Sequence, residues 1–156
     1  AILAKMRAAR PDIALSGDFI VGFPGETEED FTETLNLVVE VGYASAYSFK
    51  YSPRPGTPPA TMEDQIAPEV MEERLQRLHE RINGHQIAFN SASVGKVTDV
   101  LIERRGRHPG QMIGRSPWLQ SVHVETDAAP GDIIPVKLVS AGPNSMAGAL
   151  ITKAAA

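Results

Sequence analysis

Asp18-Phe19-Ile20-Val21-Gly22-Phe23-Pro24-Gly25-Glu26-Thr27 decides the first half of the fold. Apolar and β-branched residues give way to a turn bounded by Gly22 and Gly25, and then to residues that open a helix. The run from Ile13 to Gly22 is mostly apolar, which suits a buried parallel strand better than a half-exposed one. Thr27 is placed as an N-cap, with Asp30 three residues on as a capping-box variant. Glu28 and Glu29 favour the positive end of the helix. Phe31, Leu35, Val38 and Val39 form one apolar face, and Gly42 suits the residue after the last turn. Ala44 to Tyr51 reads as a second strand. Strand, helix and strand make a βαβ unit with parallel strands.

Ligands of open α/β sheets and barrels lie at the carboxyl ends of strands. Gly22 and Gly25 would let a flat ring or a phosphate approach the backbone there. The same residues also make an ordinary βα turn, and spacing alone does not separate the two readings. The G-x-G-x-x-G dinucleotide spacing is absent.

Outward from this unit, Ile2, Leu3 and Met6 fall at helical spacing until Pro11. The chain enters that pattern at once, and is expected to be a piece of something longer. Phe49-Lys50-Tyr51-Ser52-Pro53-Arg54-Pro55-Gly56-Thr57-Pro58 follows the second strand, so it shares a rim with the first motif. Lys50 and Arg54 bring positive charge to that rim. The alternative is a proline-stiffened surface loop, which composition alone favours. Pro68 can open a long helix. Its apolar stripe is Met71, Leu75, Leu78, Ile82 and Phe89, with Glu72, Glu73, Arg74, Arg77 and Arg81 facing elsewhere. Asn83-Gly84 weakens it in the middle.

From Gly95 the apolar period changes to two, from Val97 to Glu103 and again in Gln120-Ser121-Val122-His123-Val124-Glu125. Ile133 to Val139 and Ala147 to Thr152 are further strands. Turns at Pro109-Gly110, Pro130-Gly131 and Gly142-Pro143-Asn144 separate them. About five short antiparallel strands predict a small closed barrel, of which the oligonucleotide-binding type is the commonest RNA-related example. Arg104, Arg105, Arg107, His108 and Arg115 lie within it with no acid between residues 104 and 115, and Trp118 follows. Phosphates bind such cations, and bases stack on aromatic rings. The alternative is a solvated hairpin with Trp118 as a core plug, which is the commoner meaning of a charge run.

Charge divides the chain in the same place. Residues 1–90 hold eight Lys/Arg against fourteen Asp/Glu, and residues 91–156 hold seven against five. Hydrophobic residues make up 42% of the 156, enough for packed cores, and 22% are charged. No cysteine is present, which excludes disulfides, thiolate zinc sites and Cys-ligated clusters in this chain. His79, His85, His108 and His123 are scattered, without metal-ligand spacing. No apolar run approaches the ~20 residues of a membrane span, and no signal segment opens the chain. A cytoplasmic, monomeric protein with no membrane partner is expected.

The two rim motifs, Asp18 to Thr27 and Phe49 to Pro58, resemble those of the radical-SAM methylthiotransferase family. The Tyr51-Ser52-Pro53-Arg54-Pro55-Gly56-Thr57-Pro58 run is the most specific part. It is similar to the branch of tRNA-2-methylthio-N6-dimethylallyladenosine synthases, and the sister branch acting on a ribosomal protein usually departs from it. Gly95 to Ile151 resembles a TRAM domain, a tRNA-binding barrel, with Gly114-Arg115-Ser116 and Val122 on its central pattern. The resemblance covers essentially the whole chain.

The resemblance implies residues 1–67 as the carboxy-terminal portion of an open radical-SAM α/β barrel. Residues 68–93 would be a linker helix and 94–153 a TRAM, OB-like antiparallel barrel. It implies S-adenosylmethionine and two 4Fe-4S clusters in the intact enzyme, with no cluster ligand in this chain, which alone should be inactive. An electron donor such as flavodoxin or ferredoxin would serve that enzyme. The reaction would add a methylthio group to C2 of N6-isopentenyladenosine beside the anticodon. Ile20, Val21, Gly22, Phe23 and Pro24 would lie against S-adenosylmethionine. Lys50, Arg54, Arg104, Arg105, Arg107, Arg115 and Trp118 would face substrate or the anticodon stem-loop. The alternatives are a non-catalytic RNA-binding module, or the branches acting on threonylcarbamoyladenosine or a ribosomal protein.

Overall fold

The computed structural model describes residues 2–151. It divides into two compact units, residues 1–86 and 87–156. The division falls inside a helix that the sequence pattern presents as a linker.

In the first unit, α1 (Ile2–Ala9) precedes β1 (Ser16–Val21), α2 (Glu28–Val41) and β2 (Ser45–Lys50). β1 and β2 are parallel, in register from Ser16 beside Ser45 to Val21 beside Lys50. Local chemistry sets both ends of α2. Thr27 accepts from the Asp30 N–H while the Asp30 carboxylate accepts from the Thr27 N–H, closing the expected capping box. Gly42 ends the helix in the left-handed region, donating to the Val38 carbonyl. A short 3-10 turn (Pro58–Thr61) leads to α3 (Pro68–Ser93), which runs unbroken through Asn83-Gly84. Val21, Phe31, Val38, Leu78 and Ile82 form the core.

Two expectations change here. β1 is not buried on both faces: only Val21 is fully enclosed, and Ile20 is 57% exposed beside Phe49 at 55% and Tyr47 at 66%. An apolar run implies two covered faces, but this sheet has helices packed on one. Arg74, expected on the polar side of α3, is buried. A residue on the helix surface is still interior when the α2 end of the unit packs over it.

The second unit takes the last turns of α3 and a closed barrel. Its strands are β3 (Val97–Arg105), β4 (Gln111–Arg115), β5 (Ser121–Glu125), β6 (Ile133–Ala141) and β7 (Met146–Leu150). They run around the ring in the order β3-β4-β5-β7-β6. The period-two pattern places Val100, Ile102, Met112, Val122, Val124, Val136, Leu138 and Met146 inside. Every pairing is antiparallel except β5 with β7. A ring of five strands cannot alternate direction all the way round, so one pair must be parallel. The interior is tight where glycine lines it: a Cβ on Gly114 would sit 2.3 Å from the Leu101 carbonyl oxygen. Thr152, expected in the last strand, and residue 153, the expected end of the barrel, lie outside the described residues.

Candidate nucleic-acid interface

The strand-end rim of the first unit is built on Gly22, whose φ of +73° suits glycine. Met71 fills the space beside its Cα: a Cβ there would lie 2.2 Å from Met71 Cγ. Val21, Gly22 and Pro24 are buried, while Ile20 and Phe23 are exposed. The turn's backbone is largely committed internally. Val21 O accepts from Tyr51 N, Phe23 O accepts from Glu26 N, and Gly25 N donates to Asp64 O. Gly22 N donates to Glu26 Oε2 at 2.7 Å.

The same carboxylate oxygen meets Arg74 at 2.7 Å, and Arg74 also donates to the Glu26 carbonyl at 3.0 Å. These side chains are only 6% and 10% exposed. Arg74 and Arg77 both lie over the Phe31 ring, at 5.6 and 4.8 Å. Glu26 and Arg74 therefore hold the rim, a role that the sequence reading missed. The hint was a charged residue directly after the glycine turn, but its partner lies 48 residues away.

Of the positive residues expected at this rim, Lys50 is paired with Glu72 at 2.7 Å. That contact holds the Glu72 carboxyl below its ordinary range. Arg54 is exposed in a turn that its own carbonyl closes by accepting from Thr57 N and Oγ1. Phe23 packs edge-on against Tyr51, with centroids 5.3 Å apart. The Tyr51 hydroxyl is enclosed and finds no hydrogen-bond partner among the described residues.

On the barrel, the β3–β4 hairpin carries Arg104, Arg105 and Arg107. All three are exposed, and among the described residues none makes an ion pair. Gln111 shapes the tip: its side chain accepts from Arg107 N at 3.0 Å, and its carbonyl accepts from Gly106 N at 2.7 Å. A Cβ on Gly106 would lie 2.4 Å from Gln111 Oε1, so a larger residue there would displace the side chain that shapes the tip. Between this tip and residues 126–130 lies a groove of about 590 Å³, lined by Arg105, Arg107, His108, Thr126 and Asp127 among others.

At the other end of β4, Arg115 meets Glu103 at 3.4 Å and donates to the Leu119 carbonyl at 3.1 Å. Ser116 to Leu119 forms a tight turn, with Leu119 N donating to Ser116 O at 2.9 Å and Ser116 N to Gln120 O at 3.1 Å. Leu119 closes it at φ +60°, in the left-handed region that favours glycine. Beneath the turn, Gln120 donates to Asn90 Oδ1 at 2.8 Å and to Ser93 Oγ at 3.2 Å. Ser116 Oγ donates to Gln120 Oε1 at 3.2 Å. Asn90, Ser93, Ser116 and Gln120 are all buried. A buried polar group without a partner costs about 1–3 kcal/mol, so a satisfied network like this fixes the turn. No motif in the sequence links these residues, because Asn90 and Gln120 lie 30 positions apart.

Trp118 belongs partly to the barrel. It packs against the core, meets Phe89 edge-on at 6.4 Å and carries Lys96 over its ring at 5.3 Å.

The TRAM domain family model matches residues 92–151, which include the whole barrel. The chain is 64% identical over 155 residues, 99% of its length, to the tRNA-2-methylthio-N(6)-dimethylallyladenosine synthase of Erythrobacter litoralis. The chain is thus similar to this synthase over nearly its whole length, and its barrel matches the TRAM domain model. It is also 64% identical over 150 residues to the Novosphingobium aromaticivorans synthase, and 61% over 146 residues to that of Sphingopyxis alaskensis. These matches cover 96% and 93% of the chain. They cover 35%, 34% and 33% of the three relatives, so the chain spans about a third of their length. Among the described residues, no helix is long and apolar enough to cross a membrane.

Proposed function

We propose that this chain is the tRNA-holding part of a tRNA methylthiotransferase, with a section of its S-adenosylmethionine rim. The observation that carries the reading is the unpaired arginine hairpin beside its groove, on a barrel of the TRAM family. Exposed guanidinium groups with no internal acid are free to meet phosphates and release counterions. The barrel ring supports this geometry by fixing both strands of the hairpin. The bound RNA would be an anticodon stem-loop, and the modified atom C2 of N6-isopentenyladenosine beside the anticodon. The setting would be the cytoplasm, and the chain monomeric.

The donor set of this chain does not fit an iron–sulfur cluster, because it contains no thiolate. The two clusters of the intact enzyme, and the flavodoxin or ferredoxin that would reduce them, engage other residues. S-adenosylmethionine fits better. Ile20 and Phe23 offer exposed apolar surface, and beneath Phe23 the enclosed Tyr51 hydroxyl has no hydrogen-bond partner among the described residues. When bound, that group would supply the radical precursor and the methyl donor. Val21, Gly22 and Pro24 act beneath this surface, holding the turn with Glu26 and Arg74. Arg54 is the rim cation left available for substrate, since Glu72 neutralises Lys50.

Titrating a labelled anticodon stem-loop into the full chain at several salt concentrations tests the reading. Arg105→Ala with Arg107→Ala should weaken binding and lower the log–log salt slope by roughly one to two. Unchanged affinity and slope would remove the RNA role from the hairpin.

A further inference from the structure

We propose that Leu119 is a second RNA contact, an apolar tip on which an unpaired base rests, at the end of β4 opposite the arginine hairpin. The inference deepens the RNA reading above and rests on it. Three observations converge.

Leu119 occupies a left-handed position that glycine would fill without strain, and its side chain is 68% exposed. Neither the backbone strain nor the exposure serves the barrel's own packing. Strain kept at a defined position points to a role outside the folded core.

The turn is also held more firmly than an exposed loop requires. Gln120 ties Ser116 to Asn90 and Ser93, so the turn cannot relax around the strained residue.

The tip is continuous with the side-chain row that leads to the hairpin, and Arg115 there is shared with Glu103 at 3.4 Å. Arg115 bonds the Leu119 carbonyl, and Gln111, Ile113 and Arg115 form the outward row of β4 back toward the hairpin. β4 spans roughly 16 Å, the scale of two or three nucleotides. Phosphates at the hairpin and a base at the tip could therefore belong to one strand. Single-stranded RNA offers such unstacked bases, and paired RNA does not.

The test uses the full chain with a tRNA anticodon stem-loop and, separately, the blunt duplex of its stem. Leu119→Gly should lose roughly tenfold in affinity for the stem-loop, the scale of burying one leucine. Its salt slope should not change, because no charge is removed. Its melting temperature should hold or rise, because glycine relieves the strained φ, whereas a fall would assign Leu119 to the fold and overturn the contact. Binding to the duplex should be unaffected, and Leu119→Met should recover most of the loop affinity. Wild-type affinity in Leu119→Gly would overturn the Leu119 contact alone. Equal losses on loop and duplex would also overturn it, since the tip would not then be reading a base. A wild-type chain that binds neither RNA would overturn the RNA reading itself and this contact with it.

Discussion

The barrel and the β1–β2 sheet are built from strands of similar length but solve the edge problem differently. The barrel's five strands close on themselves, so each has a neighbour on both sides. β1 and β2 have one neighbour each, and their outer face shows Ile20, Tyr47 and Phe49 to solvent. Closure gives the barrel an interior of alternating residues such as Val100, Val122, Val136 and Leu138, all fully enclosed. The α/β unit lacks that geometry. It packs one sheet face on helices and adds the buried Glu26–Arg74 pair to hold its glycine turn. Cohesion in the barrel is therefore a property of the ring, while in the α/β unit it hangs on a few side chains far apart in sequence.

The largest way to break this contrast is Arg74→Ala. It leaves the Glu26 carboxylate enclosed without its cation, and losing one partner of a buried pair costs about 3–5 kcal/mol. Amide exchange should rise across residues 16–50 and stay unchanged within residues 97–150. Equal loosening of both units would show that the two share one cooperative core.

A smaller effect is expected in the unmutated chain. Exchange of β1 and β2 amides should be at least about tenfold faster than that of β3 and β5, because open edges admit local opening. Equal protection would contradict the idea that closure sets the difference.

The smallest effect comes from acid. Asp30 is held below its ordinary value of 3.8, first by the Thr27 backbone N–H and then by the Thr27 side chain. Glu28 is held below 4.5, first by its hydrogen bond to Arg77. A carboxylate lowered in the folded state stabilises it above the ordinary value, and the contribution is lost as pH falls through the lowered one. Both groups are exposed, so the loss is slight. Protection of the first turn of α2 should fall below about pH 4 in the wild type and change less over that range in Asp30→Asn. An identical pH profile in the variant would remove Asp30 as the cause.

What was legible in the sequence was legible over short distances. Thr27 and Asp30 lie three residues apart, Gly42 directly follows its helix, and Val122 and Val124 alternate within one strand. The arginine hairpin was also readable, because exposure of a charge run is its ordinary state. The readings that changed needed partners from elsewhere. Arg74 looked like a surface residue until Glu26 enclosed it, and Gln120, placed only as the start of a strand, proved to be buried against Asn90 and Ser93. Gly22 read either as room for a ligand or as an ordinary turn glycine, and the structure adds that Met71 packs where its Cβ would stand.

By itself, then, the sequence determined the kinds of element, their caps and turns, the change of period near Gly95 and the family resemblance. Each of these is a local preference or a pattern along one chain segment. Only the tertiary structure decided which charges are buried, which face of β1 stays open, and that β5 and β7 run parallel. Those outcomes depend on what packs against each residue, and a side chain's own chemistry does not specify its neighbour.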